Sequence, residues 1–83
     1  MKVLYFAAIR QQIGVGQEDV SPPDDVLTVA DLVAWLADRS EIHKSALCGP
    51  RPLRAAIDLQ HADMNASIKG ATEVAFFPPV TGG

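Results

Sequence analysis

Eighty-three residues, 48% of them hydrophobic and 20% charged, specify one folded domain with a single small core, too short for an internal cleft with a full catalytic apparatus, so a partner is expected to supply chemistry. Seven Lys and Arg against ten Asp and Glu give a net charge of −3, and the basic residues are scattered instead of forming a stripe, which argues against nucleic acid as a partner. No apolar run approaches the roughly 18 residues of a membrane span, the start Met1 to Phe6 is too short and strand-like for a signal peptide, and the lone Cys48 excludes an internal disulfide, all of which reads as a cytoplasmic protein.

The first element is a strand over Lys2 to Ala8, apolar on both alternating faces, as a central strand requires. Gly14-Val15-Gly16 predicts a turn, and Gln17 to Val20 a short polar edge strand stopped by Ser21-Pro22-Pro23, so a hairpin is expected first. Thr28 reads as a helix N-cap, with Asp31 three residues on in a relative of the capping box and Leu27 with Leu32 placed as a hydrophobic staple. Val29, Leu32, Val33 and Leu36 then form one apolar stripe, bordered by Trp35.

Ser40 to Pro52 reads as loop with a short helical turn near His43 to Leu47, because Gly49, Pro50 and Pro52 interrupt any longer helix. Leu53 to Leu59 alternates Leu53, Ala55, Ile57 and Leu59 with Arg54, Ala56 and Asp58, the pattern of a half-buried strand. Gln60 to Ala66 is polar and irregular, residues 67 to 70 form a turn, and Glu73 to Phe77 is the last strand. Strand, strand, helix, strand, strand predicts an α+β fold of the ubiquitin-like β-grasp kind: a mixed sheet of four to five strands with one main helix across one face. The doubly apolar first and last strands should lie parallel at its centre.

The end carries the functional signal. Pro78 and Pro79 cannot donate to a ladder, so they should stop the last strand and send Val80, Thr81, Gly82 and Gly83 outward as an extended tail. Four extended residues reach roughly 13 Å, and the diglycine can thread a slot too narrow for side chains. The domain is accordingly residues 1–79 and the tail 80–83. One helix covers one sheet face only, so Phe6 and Phe77, placed opposite Val3, Tyr5, Val74 and Phe76, are expected on an exposed patch that joins Pro78 and Pro79 in a partner interface.

Tyr5-Phe6-Ala7 with Arg10 and Gly14, then Leu27 to Leu32, and above all Glu73-Val74-Ala75-Phe76-Phe77-Pro78-Pro79-Val80-Thr81-Gly82-Gly83, resemble the small-subunit, sulfur-carrier family of molybdopterin synthase across the whole chain. Two places depart from that family's pattern: Asp58 stands where Asn is usual, and Gly70-Ala71-Thr72-Glu73 replaces an Asp-Gly-Asp-Glu type turn. The resemblance implies that a ubiquitin-activating-like adenylating enzyme uses ATP to convert the Gly83 carboxylate to an acyl-adenylate, that a sulfur-donating enzyme replaces AMP to give a thiocarboxylate, and that Val80 to Gly82 carry it into the large subunit. There the sulfur passes to cyclic pyranopterin monophosphate to build the molybdopterin dithiolene. It further implies a heterotetrameric assembly, catalytic groups on the large subunit, and no bound cofactor on this chain. Thiamin-type sulfur carriers share fold, diglycine and activation but usually lack the Phe-Phe-Pro-Pro run; ubiquitin-like modifiers would use the same adenylate to reach lysines.

Other candidate sites are weak. His43, Cys48 and His61 match no metal-ligand spacing, so no metal is expected. Cys48 has no sequence neighbour to activate its thiol. Asp24-Asp25 and Glu18-Asp19 read as solvated turn charges, since nothing in the sequence positions them as an acid/base pair.

Overall fold

The two segments that are apolar on both faces become neighbouring strands of a five-stranded sheet in the computed structural model, which describes residues 1–50 and 52–79. β1 (Lys2–Tyr5) runs parallel to β5 (Glu73–Phe77), with Val3 opposite Val74 and Tyr5 opposite Phe76. β2 (Gln17–Asp19) flanks β1 and β3 (Arg54–Ile57) flanks β5, both antiparallel, and β4 (Gln60–Ala62) forms the far edge in the order β2-β1-β5-β3-β4. Val3, Tyr5, Val74 and Phe76 are buried on one face, where they cluster with Val29, Leu32 and Leu36 of α2 (Val29–Ala37). Ile9 of α1 (Ala7–Ile13) and Leu47 of α3 (Glu41–Leu47) join that cluster, so all three helices lie on this face. The β-grasp arrangement expected from the element order is present, with two short helices added to the main one.

Where the first strand ends differs from the expectation. It stops at Tyr5 instead of Ala8, because Ala7 adopts φ 53° and turns the chain into α1. The Phe6 N–H still donates to the Phe76 carbonyl (3.1 Å), but the Phe6 carbonyl is taken by the Arg10 N–H (3.3 Å) in the first turn of the helix. Gly14, at φ 93°, then closes α1 by donating to the Arg10 carbonyl (2.8 Å). The Arg10 guanidinium lies 3.2 Å from where a Gly16 Cβ would stand. The glycine pair read as a hairpin turn is therefore a helix terminus and a seat for Arg10.

The cap of α2 is a full capping box: Thr28 Oγ1 accepts from Asp31 N, while Asp31 Oδ2 accepts from Thr28 N. The staple is not built as expected, since Leu27 is 61% exposed; Val26 packs on the core instead. Ser40 caps α3 by accepting the His43 N–H, which is why a full seven-residue helix forms where only a turn was expected.

β3 pairs with β4 through a two-residue loop, Asp58-Leu59, with Ile57 opposite Gln60. Both loop residues have positive φ, 47° and 73°, the requirement of a type I′ turn whose twist matches that of the strands it joins. The loop ends the expected alternation early. Leu59 is 85% exposed instead of half-buried, and Gln60 to Ala62, read as irregular, continue as a strand. Asp58 Oδ1 accepts from both Thr72 N and Glu73 N at 3.0 Å, so the two departures from the family pattern are in direct contact: the carboxylate fastens the β3–β4 loop to the end of the 70–73 turn and the start of β5. Glycine meets the left-handed position of Leu59 without the Cβ clash that costs roughly 1–2 kcal/mol, less its own entropy cost of about 0.5–1 kcal/mol. Leu59→Gly should therefore raise stability by about 0.5–1 kcal/mol in urea unfolding; a loss of stability would mean that the Leu59 side chain makes stabilising contacts at the tip.

Candidate functional site

The region where β5 gives way to the tail is shaped by a shortage of backbone donors. On the β1 side the last ladder bond runs from the Phe6 N–H to the Phe76 carbonyl. A parallel ladder would next require the amide of residue 78 to donate to the Phe6 carbonyl, and residue 78 is proline while that carbonyl already serves α1. On the β3 side Phe77 sits opposite Arg54. Pro78 and Pro79 follow, both partly buried, and Val80, Thr81, Gly82 and Gly83 lie outside the described residues.

The sheet face away from the helices follows from the register. Gln17, Leu4, Ala75, Ala56 and His61 form one row across all five strands, and Phe77 with Arg54 begins the next. Alanines at 75 and 56 leave a low floor in the middle. Over this floor the Phe77 ring meets the His61 ring edge to face, centroids 5.4 Å apart at 82°. Phe6 is 46% exposed at the β1–α1 junction, not on the strand itself as expected. Phe77 does face away from Val3, Tyr5, Val74 and Phe76, as the alternation predicts. Leu59, at the tip of the β3–β4 loop, is a further exposed apolar residue that strand alternation concealed.

A polar cluster lies on the opposite, helix-covered face. Glu18 of β2 stands opposite Val3, so its side chain points inward from an edge strand. Its Oε1 accepts the Tyr5 phenol (2.7 Å) and contacts His43 Nε2 (2.8 Å), while His43 Nδ1 lies 2.8 Å from Ser40 Oγ. A carboxylate can only accept, which assigns the Nε2 proton to His43 and, in the neutral ring, makes Nδ1 the acceptor of the Ser40 hydroxyl. Glu18 is thus no solvated turn charge, and no local pattern announces this because its partners lie 13 and 25 residues away. Burial pushes the Glu18 carboxyl upward, but the hydrogen bonds from His43 and Tyr5, with the nearby charges, outweigh it and hold the group below its ordinary value. Burial, then the bond to Glu18, drives the Tyr5 phenol well above its usual range.

The residues considered for metal binding are not brought together. His43 is engaged by Glu18 and Ser40, His61 lies on the open sheet face, and Cys48 is free and exposed at the end of α3. Among the described residues no three His, Cys, Asp or Glu side chains gather, and no helix is long and apolar enough to cross a membrane.

Comparison with known proteins adds what geometry alone does not. The model of the ThiS family matches residues 3–83. The molybdopterin synthase sulfur carrier subunit of Haemophilus influenzae is 35% identical over 83 residues, covering all of this chain and 99% of the relative. That of Escherichia coli is 36% identical with the same coverage, and that of Mycosarcoma maydis 32% identical over 87 residues, covering 92% of the relative. Among solved structures, SAMP1 from Haloferax volcanii superposes with a TM-score of 0.77 at 24% identity, covering 100% of this chain and 98% of that one. A putative molybdopterin converting factor subunit 1 from Pyrococcus furiosus gives 0.73 at 27% identity, with 95% of each chain covered.

Two titrations test the polar cluster. Because the folded state lowers the Glu18 value, the stability it contributes is present above the unfolded value near 4.5 and is lost as pH falls through the lower folded value. Glu18→Gln should therefore be less stable than the parent at neutral pH by an amount that shrinks in acid, measured by urea unfolding; a difference independent of pH would contradict the assignment. Tyr5 is the sole tyrosine. Its phenolate absorbance should be nearly absent at about pH 11, where a free phenol is about nine-tenths ionised, and should appear there in Glu18→Gln only to the extent that the shift depends on Glu18.

Proposed function

The chain belongs to the ThiS family, and from that premise we propose that it is a molybdopterin synthase sulfur carrier subunit whose reactive group is the Gly83 carboxylate. The observation that carries this reading is end-to-end similarity at 32–36% identity to three proteins that bear that name. The geometry supports it: a central strand, held on its β1 edge up to Phe76 and on its β3 edge up to Phe77, leads into two prolines, after which the sequence reads Val80-Thr81-Gly82-Gly83.

The chemistry follows from what a carboxylate lacks. Its leaving group would be oxide, so a Gly83 oxygen first attacks the α-phosphorus of ATP within an adenylating partner, releasing pyrophosphate and forming a mixed anhydride. Hydrosulfide-level sulfur from a donating enzyme then attacks the Gly83 carbonyl carbon and AMP departs, leaving a thiocarboxylate; were the donor an enzyme persulfide, the acyl disulfide first formed would be cleaved by a second thiol, which is oxidised to a disulfide. Delivered to the large synthase subunit, this sulfur is transferred to cyclic pyranopterin monophosphate, water supplies the replacing oxygen, and the carrier returns as a carboxylate. Two such cycles provide the two dithiolene sulfurs. This chain contributes the tail and the surface that seats it, in the cytoplasm, while the partners contribute the catalytic groups. The open sheet face with Phe77, and Phe6 beside it, is the docking surface in this reading. The three named relatives favour the molybdopterin route over the thiamin-type and lysine-tagging alternatives.

Adding one residue after Gly83, or deleting Gly83, should abolish molybdopterin formation in a coupled assay with unchanged thermal unfolding, because the acyl group is displaced or lost while the core is untouched. Retained activity without trimming of the added residue would refute the proposal. A bulky side chain at Gly82 should impair transfer in the same way. For the surface, Phe77→Ala should weaken binding to the large subunit and adenylating enzyme by roughly 2 kcal/mol or more. Its stability cost should stay below the roughly 3–5 kcal/mol of truncating a fully buried Phe, since Phe77 is only partly buried. A loss of several kcal/mol in folding with unchanged affinity would assign Phe77 to the core and require another docking surface.

A further inference from the structure

We propose that Pro52 is a positioning residue for sulfur transfer: it withholds the backbone N–H that would otherwise fasten the chain beyond Phe77 to β3. The inference rests on the reading of residues 80–83 as the inserted tail. Its basis is the register of β3 against β5, in which Ile57, Ala56, Ala55 and Arg54 stand opposite Val74, Ala75, Phe76 and Phe77. The Asp58 N–H donates to the Glu73 carbonyl at 3.1 Å, which marks Asp58/Glu73 as a hydrogen-bonding rung. Such rungs alternate in an antiparallel pair, so Ala56/Ala75 and Arg54/Phe77 are the next two. The observed pairing ends at Arg54/Phe77, where β3 begins; extrapolated one rung further, the register would set Pro52 opposite Pro79.

A hydrogen-bonding rung consists of two N–H to carbonyl bonds, one from each residue. Pro79 alone removes only one, since a donor at position 52 could still bond the Pro79 carbonyl. Pro52 removes the other. Pro52 and Pro78 both line one cleft of about 490 Å³, together with Ile9 and Leu53. On the opposite edge Pro78 withholds the donor that would have extended the β1–β5 ladder. Three prolines from two segments thus silence both edges of β5 at the level where the tail begins. A strand with an unsatisfied edge readily accepts another segment, and a tail held in that way would have to be released before a partner could receive it.

The test uses the full chain with thiocarboxylated Gly83, in wild-type form and with Pro52→Val, assayed with the large subunit and cyclic pyranopterin monophosphate, alongside amide hydrogen exchange. In Pro52→Val the amide at position 52 should exchange at least about tenfold more slowly than in an unstructured chain. The KM for the carrier should rise about fivefold, the factor expected for one net backbone hydrogen bond, with kcat within about twofold. A synthetic chain with N-methylvaline at position 52 has the valine side chain but no N–H, and should restore the wild-type KM. An unprotected amide at 52, a protected amide with unchanged KM, or a defect that persists with N-methylvaline would each overturn the proposal. Absence of sulfur transfer from the wild-type chain would refute the proposed function itself, and exchange at position 52 would still decide whether Pro52 suppresses the rung.

Discussion

The strand proposed to carry the functional end of this chain is the central one of the sheet, and the pairing of that strand and the departure of the chain from it meet within two residues. β5 is paired on both edges, parallel to β1 and antiparallel to β3, with Val74, Ala75 and Phe76 buried. Such a strand is a firm base for a tail, but its ladders propagate wherever donors and acceptors continue. They cease because the donors cease. The Phe6 carbonyl is diverted into α1, and Pro78, Pro79 and Pro52 have no N–H to offer. The break at Ala7 that begins α1 is therefore part of the same design as the diproline, since a β1 strand continuing to Ala8 would present further acceptors alongside the departing chain.

Division of labour between the two sheet faces follows from the same topology. All three helices bury Val3, Tyr5, Val74 and Phe76, leaving Leu4, Ala75, Ala56 and Phe77 on the uncovered side. The covered side has to accommodate a phenol, because Tyr5 reaches beyond the apolar centre toward the β2 edge. Leaving its hydroxyl unpaired would cost about 1–3 kcal/mol. Glu18 prevents that, and its second contact to His43 ties the edge strand to α3, the helix whose Ser45 and Ala46 wall the cleft beside Pro78.

Much of this was legible in the residues. The period-two runs at both ends, the Thr28 cap and the 3.6-period stripe of α2 are local signals; β1, shorter than expected, α2 and β5 are present, and β5 ends before Pro78 as the prolines predict. What escaped were features whose cause is distant in sequence. Ala8 has the composition of a strand residue and becomes helical because the chain turns at Ala7, a conformation no sequence signal announced. Asp58-Leu59 lacks the Asn-Gly signature of the turn it forms, so the strand appeared to run on to Leu59. Glu18, His43 and Tyr5 are unremarkable apart, and only the β2 register and the α3 cap bring them together. The family resemblance is the ground on which a chemistry for the tail is proposed, whereas the role proposed for Pro52 emerges only when the β3–β5 register is continued past Arg54.

The central claim is that Gly83 carries sulfur as a thiocarboxylate, and the most direct measurement is the intact mass of the chain after incubation with an adenylating enzyme, ATP and a sulfur donor. The account predicts a mass gain equal to replacement of one oxygen by one sulfur, located on the C-terminal peptide, requiring ATP and reverting to the starting mass when the large subunit and cyclic pyranopterin monophosphate are added. An unchanged mass in the presence of all components, or sulfur found on Cys48 instead of Gly83, would contradict it.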